Sequence, residues 1–347
     1  MSSASSAATA GAAARSSPPL DAAQRQGLLQ QKLRALVAGH WQIADPALGP
    51  FPGGAVARHG DAGWVLAGER AGRALGGALA WARQAGVSEL HVLADEGAGA
   101  LARRAAAFAR PPAVWQVVGR DLAPAEPEPL TAEPPLTAAV EAYLPVIAGA
   151  GADAVVEGGV LLAEVLGLEV GRVVDEDGAA RLEVGVGAFD REAQRLVHAD
   201  RPPAEALASA VDAVRRVRRP DAPAHQVNQL AAERWLRWVL VRRPELVGAA
   251  RLEPVPSPVV RTDLRQSAPA PAAGVDREGR PMVVVCSTGI DVELVPAAVD
   301  ARLADGRGAR LVLALPEADD HPLTRALAAA LAQPAEVVVV EGDWRQA

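Results

Sequence analysis

Two stretches of this chain alternate short β-branched runs with alanine-rich segments of helical length, and nothing else in the sequence restricts the fold as strongly. From Gly63 the order is a strand (Trp64 to Glu69), a helix to Gln84, a strand in ELHVLAD, a helix (Gly99 to Ala109) and a strand (Ala113 to Gly119). The order recurs near the C-terminus as PMVVVCS, a helix (Val292 to Ala304), ARLVLAL, a helix (Leu323 to Ala332) and EVVVVEG. Strands that alternate with helices of this length pair in parallel through right-handed crossovers. Each end is therefore expected to form a βαβαβ unit. Leu90 aligns with Leu311, Glu96 with Glu317, Arg103 with Arg325, Pro112 with Pro334 and Asp121 with Asp343, which reads as an internal duplication. Two alanine-rich α/β units of separate origin would also look alike.

The segment between the copies differs. A proline-rich stretch leads to a helix (Leu136 to Ala148), a short strand in AVVEGG and then a hairpin, LGLEVGRVV and ARLEVGVG, joined through Asp177-Gly178, a dipeptide that favours a tight turn of positive φ. Helices at Asp190 to His198, Ala204 to Arg219 and Gln226 to Arg242 follow. The expected fold is α/β: two βαβαβ parallel-sheet units flanking a middle α+β module with a β-hairpin and helices. The expected partition is a disordered tail (1–19), an N-terminal unit (20–125), the middle module (126–253), a proline-rich linker (254–272) and a C-terminal unit (273–347). In the N-terminal unit, Leu28, Leu29, Leu33, Leu36 and Val37 are spaced for an amphipathic helix.

Composition excludes some chemistry. Lys32 is the only lysine among 35 basic residues. Arginine neither forms a Schiff base nor acts as a general base, so lysine-nucleophile, pyridoxal-type and standard P-loop mechanisms have no residue to use. A single cysteine, Cys286, forms no internal disulfide and reads as a buried, inert thiol in a strand. The opening Ser/Ala-rich segment lacks the apolar run of a signal peptide, and no apolar stretch reaches the roughly 18 residues of a membrane span. The expected location is cytoplasmic, with no membrane partner.

The hairpin assigns faces. With Asp177-Gly178 as the loop, Arg172 opposes Glu183, Val173 opposes Leu182, and Glu169 falls on the more apolar face with Val173, Leu182 and Val184. A carboxylate there has a raised pKa unless it is paired, and perturbed carboxylates are candidates for catalysis or metal binding. A strand-end position that reaches solvent or an arginine is the structural alternative.

The order of a helix with Glu141, a hairpin with Glu169 and Glu183, and a helix with Asp190 and Glu192 resembles, over about 60 residues, the core of PD-(D/E)XK nucleases. The resemblance implies a magnesium- or manganese-dependent phosphodiesterase with Glu169, Glu183 and Asp190 as catalytic carboxylates. The family's acidic-x-lysine element would fall on Glu183-Val184-Gly185, where glycine replaces lysine, so the resemblance extends to an inactive copy or one that uses an arginine.

Charge suggests a different role. Residues 201–251 hold ten arginines against five acidic residues, a local excess of five positive charges in a chain of net charge −7. Arg215, Arg216, Arg218, Arg219, Arg237 and Arg242 are the expected contacts to an anionic partner such as nucleic acid. The helical spacing of Trp235, Leu236, Val239 and Leu240 instead reads as core. Stretches such as ELHVLADEGAGALARRAAAFA, GLEVGRVV and VVVCSTGIDVELVPAAVDARLA are similar to an uncharacterised family of conserved hypothetical proteins from high-GC actinobacteria, and that similarity implies no activity. Three functions follow: a non-enzymatic or degenerate binding protein for an anion, a metal-dependent phosphodiesterase, or an oligomeric scaffold.

Overall fold

The computed structural model describes residues 21–68, 71–176, 178–197, 201–219, 226–259, 261 and 266–346. The expected tail and Asp177 of the expected turn lie outside the described residues.

The chain opens with α1 (Ala22–Trp41), begun by a capping box in which Asp21 and Gln24 satisfy each other's backbone N–H groups. An antiparallel meander follows: β1 (Ala47–Phe51), β2 (Gly54–His59) and β3 (Ala62–Ala67). Then come α2 (Leu75–Ala85), β4 (Glu89–Ala94), α3 (Ala98–Ala105) and β5 (Ala113–Val118), with β3, β4 and β5 parallel. A last short strand, β6 (Asp121–Pro124), turns back antiparallel on β5.

The middle contains α4 (Ala138–Glu141), α5 (Leu144–Gly149), and a four-stranded antiparallel meander of β7 (Asp153–Glu157), β8 (Val160–Val165), β9 (Leu168–Glu176) and β10 (Ala179–Val184). It continues through α6 (Gly187–Val197), α7 (Pro203–Val217) and α8 (Ala232–Arg242). The third sheet runs β11 (Ala249–Pro254), β12 (Ala270–Asp276), β13 (Pro281–Cys286), then α9 (Leu294–Asp305), β14 (Arg310–Pro316), α10 (Pro322–Ala329) and β15 (Glu336–Val340), with β13, β14 and β15 parallel.

Both βαβαβ units thus have the expected parallel strands, and each is preceded by antiparallel strands that make its sheet mixed. The pattern misses β2 and β12 because GAVARH and APAAGVD are alanine- and glycine-rich where strand signals rest on β-branched residues.

The two units share one core. Val65, Val92 and Val114 of the first sheet, Leu75 and Leu101 of α2 and α3, Leu294 and Val299 of α9, Leu327 of α10, and Val283 and Leu313 of the third sheet form a single apolar cluster. The helices of one unit therefore pack on those of the other between the two sheets. Reciprocal backbone bonds tie the equivalent helix ends: Ala109 N–H donates to the Ala330 carbonyl, and Ala332 N–H to the Ala107 carbonyl. Arg103 and Arg104 of α3 both bond Asp300 of α9, which is 1% exposed.

The outer faces are covered separately. Leu33, Leu36 and Val37 of α1 pack on the first sheet, and Trp235, Leu236, Val239 and Leu240 of α8 pack on Met282, Val284 and Val312 of the third. α8, expected in the middle module, packs its apolar face on the third sheet; β11, also expected in the middle module, is a strand of that sheet, and β12 begins inside the expected linker. Helical periodicity shows that α8 has a buried face but not which sheet buries it.

Candidate anion-binding cleft

The hairpin folds in the register its sequence anticipates, with Val173 opposite Leu182 and Arg172 opposite Glu183. The three expected catalytic carboxylates are nevertheless not assembled as a ligand set. Glu169, 3% exposed, accepts from Arg172 Nε at 2.7 Å, Arg172 Nη2 at 2.9 Å and Arg191 Nη1 at 2.9 Å. Glu183 is bonded by Arg181 at 2.6 Å and lies 3.8 Å from Arg191 Nε. Asp190 accepts from the Val186 N–H at 2.7 Å and so fixes the turn into α6. Where a divalent cation would sit between Glu169 and Glu183, the structure has the Arg191 guanidinium. Among the described residues no group of three His, Cys, Asp or Glu side chains is placed to hold a metal ion.

The expected anion-contacting arginines divide by burial. Arg215, Arg216, Arg219 and Arg242 are on the surface or partly so, though Arg215 donates to the Gly151 carbonyl and Arg242 pairs with Asp153 at 2.7 Å over the Trp238 ring. Arg218 and Arg237 are corrections to the surface reading, at 0% and 1% exposure. Arg218 donates to the carbonyls of Leu166, Val227, Leu230 and Ala231 and stacks on Trp235 at 4.5 Å. Burial pushes its pKa down to about 9, so it is charged at neutral pH. Two of the carbonyls it holds belong to Leu166 and Ala231, whose φ values of 50° and 48° are in the left-handed region. Arg218 therefore clamps backbone, and Arg237 pairs with Glu164 at 3.0 Å inside the protein.

Glu164 is the hub of an ionic network that sequence reasoning did not find. It is 2% exposed and faces Arg234 at 3.2 Å as well as Arg237, while Arg234 also pairs with Glu157. Burial holds the Glu164 carboxyl above its usual range against the pull of Arg237 and Arg234. Burial also opposes the charge of Arg234, but Glu164 and Glu157 together outweigh it and its pKa is raised. Nearby, Arg261 reaches Glu233 at 3.2 Å and the Ala268 carbonyl at 2.8 Å through Nη2 alone.

Arg172, Arg191, Arg234 and Arg261 line one cleft of about 610 Å³, formed by the hairpin sheet, the start of α6 and the segment around Ser257 to Val259. Two of its lining residues, Arg234 and Arg261, carry unused donors. Arg234 Nε, and Arg261 Nε and Nη1, are buried without a hydrogen-bond partner, on side chains 5% and 6% exposed. A buried polar group left unpaired costs about 1–3 kcal/mol, more when charged, so three on one wall is an arrangement that a ligand acceptor would relieve. Burial lowers the pKa of both Arg191 and Arg261, so their charges are under-compensated in the folded state. Guanidinium groups match planar oxyanions in shape and charge. Phe189, 90% exposed, stands on the same cleft and offers a ring face to an apolar part of a ligand.

Two other positions near helix starts, a glycine-rich run and a carboxylate, are occupied by the chain's own contacts. The GxGxxA run at Gly97 opens α3, but a Cβ at Gly99 would lie 2.8 Å from Glu128 Cβ, so the chain itself covers that helix start. Asp291 accepts from Glu293 N–H and pairs with Arg73 at 2.8 Å, bridging the two units. Arg191, Arg234 and Arg261 had no local signal in the sequence: they come from a helix start, an apolar helix and a proline-rich stretch, and only the fold brings them together. No protein-family model, curated protein or solved structure matches the chain.

Proposed function

We propose that this protein is a binding protein for a small ligand carrying a carboxylate or phosphate, taken up by the arginine-lined cleft of the middle module. The observation that carries the reading is the set of unpaired, buried N–H groups on Arg234 and Arg261, two residues that line a cleft large enough for a small molecule. Nucleic acid is the less favoured form of the same idea. The local excess of arginine in residues 201–251 is largely used inside the protein, in Arg218, Arg234 and Arg237, or matched on the surface by Asp153, Glu245 and Glu253. A metal-dependent hydrolytic role has less support, since Glu169 and Glu183 are neutralised by arginine.

Thermal unfolding at fixed ionic strength, with inorganic phosphate, citrate or AMP replacing chloride, tests this. At a hundredfold excess over Kd a ligand stabilises by about 2.7 kcal/mol, which moves the midpoint by several degrees. At least one of the three should do so, chelator should leave the shift unchanged, and Arg261→Gln should abolish it. Midpoints that do not distinguish these anions from chloride would reject the proposal. A shift given by a single-stranded oligonucleotide alone, and lost in Arg215→Ala with Arg216→Ala, would move the site to the surface of α7.

A further inference from the structure

A sheet edge exposes a row of unpaired backbone groups, and proteins protect such edges with charge, proline, bulges or a covering segment. Five of the six edge strands among the described residues carry such protection. β1 contains Pro50; β6 is four residues with Asp121 and Pro124; β7 begins with Asp153 and ends with Glu157; β10 contains Arg181 and Glu183; β11 contains Arg251, Glu253 and Pro254 and is bulged between Ala249 and Arg251. β15 is the exception. After Glu336 it is four consecutive valines, with no proline and no register shift against β14.

The same molecule shows how this edge is closed elsewhere. β5 occupies the place in the first unit that β15 occupies in the second, and β6 covers it as an antiparallel strand, Val118 against Asp121 through Trp115 against Pro124. After β15 the chain turns at Gly342, but the residues that would run back along the edge are diverted. Trp344, 5% exposed, packs edge-on to Trp235 at 6.0 Å beneath α8. Among the described residues no strand covers the edge; Val337, Val338 and Val339 are half-buried, and a groove of about 430 Å³ lies beside Val339 and Val340, lined also by Arg243 and Glu341.

We infer that β15 pairs antiparallel with β15 of a second copy of this chain, about a two-fold axis at Val338, joining two five-stranded sheets into one. The strand is suited to itself. In this register Val337 opposes Val339 and Glu336 opposes Val340, so neither Glu336 faces its own copy across the ladder, and the central pairs are β-branched, which favours cross-strand packing. Each end brings Glu336 of one copy, paired with Arg310 at 2.9 Å, toward Arg243 of the other, on a groove that Glu341 and Asp343 also line. A five-residue ladder alone is smaller than a stable interface requires, so the groove walls at Arg243 and Leu246 join the contact.

Sedimentation equilibrium of the full chain, from low to high micromolar concentration, is expected to give a mass of twice 35.7 kDa at the upper end. Monomer throughout would overturn the proposal, including the case in which a foreign strand is the real occupant. Val339 belongs to neither cluster that packs on the third sheet, so Val339→Lys should leave the circular dichroism spectrum unchanged and give monomer. A folded Val339→Lys variant that remains dimeric would overturn the assignment to this edge. Val338→Cys supplies a second measurement should the lysine variant not fold. Residues facing across an antiparallel pair have Cα atoms about 4.5–5.5 Å apart, within disulfide reach, and the native Cys286 is buried. A covalent dimer under mild oxidation supports the two-fold at Val338, and failure to cross-link while the wild type is dimeric refutes it.

Discussion

Replacing Asp300 with asparagine removes one charge and almost no volume from the contact between the two α/β units. Asp300 is on α9, and its partners Arg103 and Arg104 are on α3 of the other unit, with bonds of 2.9 and 3.1 Å from Arg103 and 2.7 Å from Arg104. The hydrogen bond to Asp300 is the main reason that the pKa of Arg103 is raised, so the carboxylate is what makes the charge at Arg103 favourable there. Removing one partner of a buried ion pair costs about 3–5 kcal/mol, because the partner left behind is an uncompensated charge. The low end applies. Both arginine side chains retain about a tenth of their exposure, and each still donates to a carbonyl, Arg103 to Glu128 and Arg104 to Gly72.

The expected cost is therefore about 3 kcal/mol, which at roughly 2 °C per kcal/mol for a chain of this size is a fall of about 6 °C in unfolding midpoint. Calorimetry of Asp300→Asn, Arg104→Gln and the double variant measures both the loss and its origin. Groups in one ionic cluster should show a coupling energy of at least about 1 kcal/mol, so the double variant should lose less than the sum of the singles. Added salt should not close the gap, because screening acts weakly on a buried pair. An Asp300→Asn midpoint within about 2 °C of wild type, equivalent to about 1 kcal/mol, would refute the claim that this contact locks the units.

Three further outcomes follow from the same kind of reasoning. Burial holds Glu164 above its ordinary value of 4.5, so as pH rises past that value the unfolded chain releases a proton that the native state retains. The stability tied to this proton is complete below 4.5 and is lost as pH climbs through the raised value; Glu164→Gln should flatten that decline in a plot of unfolding midpoint against pH. Gly167→Ala should destabilise by more than about 2 kcal/mol in urea unfolding, since φ is +73° and the new Cβ would lie 2.3 Å from the backbone of Arg234, where nothing can move cheaply. The Cys286 thiol, pushed up to about 12 by burial, should ignore a disulfide reagent at pH 8 until the protein is unfolded; rapid reaction of the native protein would contradict the placement of β13.

Local chemistry was readable in the sequence and long-range chemistry was not. The hairpin register followed from a two-residue turn and a period of two, both set within 20 residues, and Arg172 opposite Glu183 emerged as expected. The parallel strands followed from valine-rich runs at regular spacing. The antiparallel strands before them carry alanine and glycine, and so gave no signal. Glu169 was expected on the apolar face with Val173, but a register shift between β8 and β9 turns it to the side of Arg172 and leaves Leu168 and Val170 in the core; its other partner, Arg191, lies 22 positions along the chain on another element, and no spacing rule connects them. The summed charge of residues 201–251 predicted a basic surface. Burial then divided those arginines, because an amphipathic helix such as α8 can carry Arg234 and Arg237 on the face that packs inward when Glu157 and Glu164 wait on the neighbouring strands.

That division also separates scaffold from site. A guanidinium has five N–H donors in a fixed fork, so its unused donors can be counted, which a lysine ammonium with freely rotating protons does not allow. Arg218 spends four of its five donors on carbonyls of two stretches of chain and is 0% exposed, which makes it a structural clamp whatever its charge. Arg261 spends only Nη2, and Arg234 leaves Nε free, although both are as deeply buried as core side chains. Burial without saturation is costly to maintain and folding alone does not require it, since Arg218 shows that this chain can engage four of an arginine's five donors where nothing else is needed. The under-bonded pair on the cleft is therefore where an acceptor from outside the chain has most to gain by binding.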